Sequence, residues 1–287
     1  MKKNNLNFAF FGTPDVAADT LTILKESGFL PSLVVTSPDK PKGRKMIVTP
    51  SPVKIWAEEN NIELLQPETF DSSITNNLKA KNCQLFVVVA YGKILPKGII
   101  DMPPLGSLNV HYSLLPKYRG ASPVESAILN GETETGVTIQ KMAFKMDTGP
   151  IVAQERVAIL PEETAPQLRK RLTKVGGELL AKTLMTPYFS PQSTDEGAKI
   201  IEVVQDESQA TYCTKIKKQD GLVNLEKESP ETLYNKFRAY ALWPRIFFFK
   251  DGKRIIITDA KLEDGKFIIK RVLPEGGKEK EYRENKG

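Results

Sequence analysis

Leu85-Phe86-Val87-Val88-Val89-Ala90 is a run of apolar residues with no alternation and no polar face. A strand with one wet face alternates, so this run is the pattern of a central strand in a parallel sheet covered by helices on both sides. Other short β-rich runs surround it at residues 8–11, 32–35, 107–111, 137–142 and 151–156. Helical patterns fall between or after them at 16–27, 53–61 and 165–184, the first with Asp15 as expected N-cap and Gly28 just past its end. Strands alternating with helices predict an α/β fold: a Rossmann-like, mostly parallel sheet with helices on both faces.

Composition sets bounds on the rest of the chain. At 287 residues the chain is long enough for two domains. Its apolar runs are far shorter than the roughly 20 residues that cross a bilayer. Lys2-Lys3 is followed by only a short apolar stretch before Gly12-Thr13-Pro14-Asp15, so secretion is not expected and a cytoplasmic location is. Cys83 and Cys213 are far apart and have no further ligand at metal spacing, so neither a disulfide framework nor a metal site is expected. Net charge is 41 − 35 = +6.

Turn-forming residues around Tyr188-Phe189-Ser190-Pro191-Gln192-Ser193 mark a boundary. The expected division is a domain at 1–189, a linker at 190–205 and a second domain at 206–287. Short segments at 221–225, 245–249, 254–258 and 266–270, with Asp251-Gly252 and Asp264-Gly265 as hairpin turns, predict a small OB-like β-barrel. One helix is expected there, at 230–241, where Leu233, Phe237 and Tyr240 form a stripe behind Pro230. This part carries 18 Lys/Arg against 14 Asp/Glu, most of the excess charge. Small basic barrels bind RNA, though packing roles are equally open.

His111, the single histidine, falls at the expected C-terminal end of a strand, where open α/β sheets bind ligands. Asn109 is two residues earlier and so shares its face. Together they can donate hydrogen bonds to a developing oxyanion and move a proton; alone, Asn-x-His is more commonly a structural strand end. Ser113-Leu114-Leu115-Pro116-Lys117-Tyr118-Arg119-Gly120 reads as a stiff loop, either lining a pocket or connecting elements. Asp147, in Met146-Asp147-Thr148-Gly149, reads as a turn residue unless the loop folds back to orient His111. No Gly-x-Ser-x-Gly elbow supports Ser113 as a nucleophile. Pro14 occupies the position of the second glycine of a dinucleotide fingerprint, so nicotinamide use is not supported. The connection at 38–52 is long for a strand-to-helix link. It carries Lys40, Lys42, Arg44 and Lys45 against Asp39, which suits a phosphate-lined groove as well as a solvated loop.

These pieces resemble the methionyl-tRNA formyltransferase family, within the folate-dependent formyltransferases. The resemblance runs through Phe10-Phe11-Gly12-Thr13-Pro14, Pro38-Asp39-Lys40-Pro41, Ala90-Tyr91-Gly92-Lys93-Ile94-Leu95-Pro96 and Asn109-Val110-His111-Tyr112-Ser113-Leu114-Leu115-Pro116. It continues through Met146-Asp147-Thr148-Gly149, Gln205-Asp206-Glu207-Ser208 and Leu242-Trp243-Pro244. It implies 10-formyltetrahydrofolate as formyl donor, no metal, and methionyl initiator tRNA as acceptor for a monomeric enzyme. It further implies Asn109, His111 and Asp147 as the catalytic set and Ile94, Leu95, Ser113, Leu114, Leu115 and Pro116 as folate neighbours. Lys40, Lys42, Arg44 and Lys45 would then meet the tRNA. Cys213, Asn224-Leu225 and Arg245 depart from the residues common in relatives. On this reading Arg44→Ala is expected to raise the apparent KM for tRNA and flatten the dependence of binding on salt, measured as the slope of log affinity against log salt.

Overall fold

The computed structural model describes residues 6–43, 46–189 and 200–283, apart from the side chain of Lys42. Packing divides the chain into two compact units. The first comprises Met1–Arg119, Gly136–Arg156 and Lys170–Ala210; the second comprises Gly120–Thr135, Val157–Arg169 and Thr211–Gly287. The expected division at 189 and 205 follows the chain, whereas these units follow contacts. Residues 190–199 of the expected linker lie outside the described residues.

In chain order the elements begin with β1 (Phe8–Gly12), α1 (Asp15–Glu26), β2 (Leu33–Val35), β3 (Lys40–Lys42) and β4 (Ile47–Thr49). Then come α2 (Pro52–Glu59), β5 (Leu64–Leu65), α3 (Ser72–Ala80), β6 (Leu85–Val89), α4 (Lys97–Ile100) and β7 (Ser107–His111). They continue with β8 (Arg119–Gly120), α5 (Pro123–Leu129), β9 (Glu134–Lys141), β10 (Ile151–Ala158) and α6 (Ala165–Leu184). The seven-stranded sheet has the order β10-β9-β7-β6-β1-β2-β5. β1 pairs in parallel with β2 and β6, β2 with β5, and β6 with β7, while β9 runs antiparallel to β7. The mostly parallel sheet is therefore present. Its strand order reverses between β1 and β6, which places a crevice beyond their C-terminal ends.

Burial on both faces explains the unbroken apolar strands. Ala9, Phe11, Phe86 and Val88 face a cluster with Leu78, Tyr91, Leu95, Ile99 and Ile100, supplied in part by α3 and α4. The alternate residues Phe8, Phe10, Leu85, Val87 and Val89 are equally buried on the other side. There α6 comes close through two glycines. A Cβ at Gly176 would stand 3.1 Å from Val110 and Val137, and one at Gly177 would stand 2.7 Å from Ile23 of α1.

Several local expectations need correction. Asp15 is the first residue of α1 rather than its cap; Pro14 holds the extended cap position, and the acid lies in the first turn, where it complements the helix dipole. β5 and α3 were not anticipated: two leucines make too short a strand signal, and Ser72-Ser73-Ile74-Thr75-Asn76-Asn77 is poor in helix formers. Asp71 starts α3 nonetheless, its carboxylate accepting from the Ile74 N–H at 2.9 Å. The segment at 38–52 is not an open loop, because β3 and β4 pair as a hairpin.

In the second unit, β11 (Tyr212–Cys213) and α7 (Pro230–Ala239) precede β12 (Phe247–Lys250), β13 (Lys253–Glu263), β14 (Lys266–Pro274) and β15 (Lys280–Glu281). The last four form an antiparallel sheet in that order. Both hairpin signals hold: Asp251-Gly252 and Asp264-Gly265 all adopt positive φ, as a two-residue turn requires. The strand expected at 221–225 does not form beyond one bridge, Leu222 to Phe247. Asn224 turns the chain instead, its side-chain oxygen accepting from the N–H groups of Glu226 and Lys227. No helix among the described residues is long and apolar enough to cross a membrane.

Phe86 is 1% exposed and packs its ring 5.0 Å from that of Phe11. Phe86→Ala is expected to cost about 3–5 kcal/mol of stability, read from urea unfolding midpoints at unchanged slope.

Candidate functional site

β7 presents Asn109 and His111 on the face it shares with Val88, beside the switch point of the sheet. Pairing with β9 then fixes their neighbours, Asn109 opposite Gln140 and His111 opposite Thr138. His111 is buried, with Nε2 2.9 Å from the Tyr118 carbonyl oxygen and Nδ1 3.7 Å from Asp147 Oδ1. A carbonyl only accepts, so Nε2 carries the hydrogen of the neutral ring. Nδ1 is then the ring nitrogen that faces the Asp147 carboxylate. The Asn109 carboxamide makes no hydrogen bond to the described residues, which leaves its donors available to another group. Sequence proximity did not bring Asp147 here; the 142–150 turn did. Asp147 adopts φ 54°, and Gln140 Nε2 donates to its Oδ1 at 2.8 Å. Gly149 permits the turn, since a Cβ there would lie 1.7 Å from the Lys141 carbonyl oxygen.

The loop after β7 is pinned by two residues whose importance the sequence did not show. Thr138 donates to the Ser113 carbonyl at 2.6 Å and accepts from the Leu115 N–H at 3.2 Å. Gln154 donates to the Leu115 carbonyl at 3.0 Å and to Thr138 at 2.9 Å. Ser113 is buried and donates to the Lys117 carbonyl at 2.6 Å, so its hydroxyl closes the loop on itself. Leu115 is buried, while Leu114 and Pro116 are half-buried. Ile94 and Leu95 diverge: Ile94 is 78% exposed, and Leu95, at 3%, belongs to the core beneath β6.

Beyond β1, Gly12 is required by packing, because a Cβ would stand 2.6 Å from that of Ala17 and 3.0 Å from the Val89 carbonyl oxygen. Thr13 donates to the Tyr91 carbonyl at 2.9 Å and ties the two strand ends at the switch point together. Burial pushes the Tyr91 hydroxyl up to about 12, so it stays neutral. At the β3–β4 hairpin, Lys40 is exposed, as are Met46, Ile47 and Val48. The Lys42 side chain, Arg44 and Lys45 lie outside the described residues. Asp39 does not offset this basic stretch. It pairs with Lys54 at 2.7 Å and accepts from Gln66 at 2.8 Å, contacts that hold its carboxyl below the usual carboxylate range.

Arg119 and Gln205 were also missed as site residues. Arg119, 1% exposed, donates from Nε and Nη2 to Gln205 Oε1 at 3.1 and 2.8 Å, and from Nη1 and Nη2 to the Glu207 carboxylate at 2.9 and 2.8 Å. Gln205 Nε2 donates to the carbonyls of Asp147 and Gly149 at 2.9 and 2.6 Å. Gln205 and Glu207 stood in the sequence only as parts of a linker-exit motif. Nothing in residue spacing signals a contact across 86 positions.

Comparison with known proteins bears on this site. The formyl transferase family matches residues 6–184, and its C-terminal domain matches 215–277. The methionyl-tRNA formyltransferase of Caldicellulosiruptor saccharolyticus is 40% identical over 90% of this chain and 80% of its own length. That of Thermus thermophilus is 40% identical over 94% of this chain and 86% of its own. The structure of methionyl-tRNA formyltransferase from Clostridium thermocellum superposes with a TM-score of 0.65 at 18% identity, covering 94% of this chain and 98% of the other, which shows a shared fold.

Arg119 holds the Glu207 carboxyl below its ordinary value of 4.5. A carboxylate lowered by folding stabilises fully above that value and loses its contribution as pH falls through the lower folded one. Wild type is therefore expected to melt above Glu207→Gln near neutral pH, with the gap closing on acidification below the carboxylate range, followed by thermal melts across pH.

Proposed function

The chain belongs to the methionyl-tRNA formyltransferase family, and from that premise we propose that it transfers the formyl group of 10-formyltetrahydrofolate to the α-amino group of methionine on initiator tRNA. The observation that carries this reading is the meeting of the Asn109 carboxamide, the His111 ring and the Asp147 carboxylate at the end of β7. Such a set suits acyl transfer from an already activated donor to an amine.

The folate supplies a formyl carbon on nitrogen, open to attack by the amine. Asn109 donates its amide hydrogens to the formyl oxygen as charge develops there, a role for which its donors are unengaged by the described residues. His111 takes up at Nδ1 the proton released by the attacking amine and returns it, directly or through water, to the departing folate nitrogen. Asp147 faces that proton-carrying atom and orients the ring. The pinned loop at 113–116, with Ile94 and Leu95, borders the folate. Its stiffness contributes through proximity, since little ordering remains when substrate binds. Lys40, Lys42, Arg44 and Lys45, on or between the strands of the β3–β4 hairpin, meet the acceptor arm of the tRNA. The enzyme acts as a cytoplasmic monomer.

Formyl transfer from 10-formyltetrahydrofolate is expected with methionyl initiator tRNA and not with uncharged tRNA, free methionine or no acceptor. Formate released in every tube would replace transfer by hydrolysis. His111→Ala and Asn109→Ala are each expected to lower turnover about 100-fold or more with an unchanged melting temperature. Near-normal turnover in either variant would remove that residue from the mechanism.

A further inference from the structure

The site contains a closed circuit of contacts, made of hydrogen bonds, one step along the backbone and the facing of a carboxylate and a ring nitrogen, that begins and ends at His111 and does not pass through Asn109. His111 Nε2 donates to the Tyr118 carbonyl, and the next residue along the chain is Arg119. Arg119 reaches Gln205, Gln205 reaches the Asp147 carbonyl, and the Asp147 carboxylate returns to His111 Nδ1. We propose that Arg119 and Gln205 form a positioning bridge that sets Asp147 against His111, so that the reacting geometry depends on a segment 94 positions beyond the histidine.

Three features single out Gln205 within the circuit. It is 6% exposed, so its bonds are not exchanged freely with water. Its amide uses both ends: Oε1 accepts from Arg119, while Nε2 donates to two carbonyls of the same turn, those of Asp147 and Gly149. Only a primary amide can do this, since a carboxylate lacks the donor and an aliphatic side chain lacks both groups. The turn it holds is one that needs holding, because Asp147 adopts φ 54°, a conformation non-glycine residues seldom take. Gln140 grips the Asp147 side chain from β9 at the same time, so backbone and carboxylate are restrained from different strands and segments. An antiparallel bridge between Ile151 and Val203 brings the Gln205 segment to this edge. Glu207, on the far side of Arg119, balances the buried guanidinium and leaves the second acceptor, Gln205, to pass the restraint on. Arg119 and Gln205 touch no reacting atom on this account; they act through Asp147.

The inference rests on the formyl-transfer reading, and the parent enzyme tests that reading separately in the same assay. Gln205→Glu keeps an acceptor for Arg119 and removes the donor to the Asp147 and Gly149 carbonyls. It is expected to lower kcat about 10- to 100-fold, as a small misplacement of a reacting group does. KM for methionyl-tRNA and for the formyl donor should stay within about twofold, because no binding contact is lost. Gln205→Leu, which adds no charge, is expected to behave alike. In an Asp147→Asn background, where the carboxylate is already gone, Gln205→Leu is expected to lower kcat no further, because both changes act on one interaction. Melting temperatures separate folding from positioning. The proposal is overturned if both Gln205 variants keep parental kcat, if the loss is the same in both backgrounds, or if it tracks a fall in melting temperature. A parent enzyme that transfers no formyl group defeats the functional reading itself, and the bridge with it.

Discussion

Everything at the site follows from the register of one strand pair. β9 runs antiparallel to β7 with Gln140 opposite Asn109 and Thr138 opposite His111. Because strand side chains alternate faces, all four emerge on one side of the sheet. From there Gln140 reaches the carboxylate of Asp147, and Thr138 reaches the backbone of the loop that follows His111. A slip of one residue would turn every one of these side chains to the opposite face, where Val110 and Val137 pack against Gly176 of α6. The buried valines therefore specify the register that the polar residues exploit.

That coupling shows how an apolar core can hold a polar site. The two sheet faces are covered differently: α6 approaches through glycines on one side, while α3 and α4 contribute to the cluster on the other. Close packing leaves β7 no freedom to adjust, so the positions of Asn109 and His111 are inherited from hydrophobic contacts. Polar groups then restrain the segments that the core does not reach. Thr138 and Gln154 hold the loop at 113–118, and Gln140 and Gln205 hold the turn around Asp147. In both cases a neutral side chain satisfies backbone groups near the site without adding net charge beside His111.

The charge distribution follows a different logic. The basic excess does not belong to the Asn109–His111–Asp147 set, where the histidine faces a single carboxylate. It is concentrated in the β3–β4 stretch and in residues 206–287. Asp39, the one acid counted against the hairpin cations, is engaged by Lys54 and Gln66. An enzyme acting on a polyanion benefits from this separation, since long-range attraction and proton transfer place opposite demands on nearby charge.

By itself the sequence determined the fold class, because an unbroken apolar run and strand–helix alternation are local patterns that burial on two faces demands. It also determined Asn109 and His111 as neighbours, since two residues apart on a strand is a geometric certainty once the strand is granted, and the hairpin turns at Asp251-Gly252 and Asp264-Gly265, where φ must be positive. It left α3 and β5 obscure, for their stability comes from packing rather than propensity. Only the tertiary structure decided that Asp147 faces His111, that Ser113 spends its hydroxyl within its own loop, and that Arg119 reaches Gln205, which in turn holds the Asp147 turn. Those are contacts between residues far apart in the chain, and no local periodicity encodes them. They exist because the sheet, once closed by its core, carries distant segments to one edge, where buried polar groups must find partners.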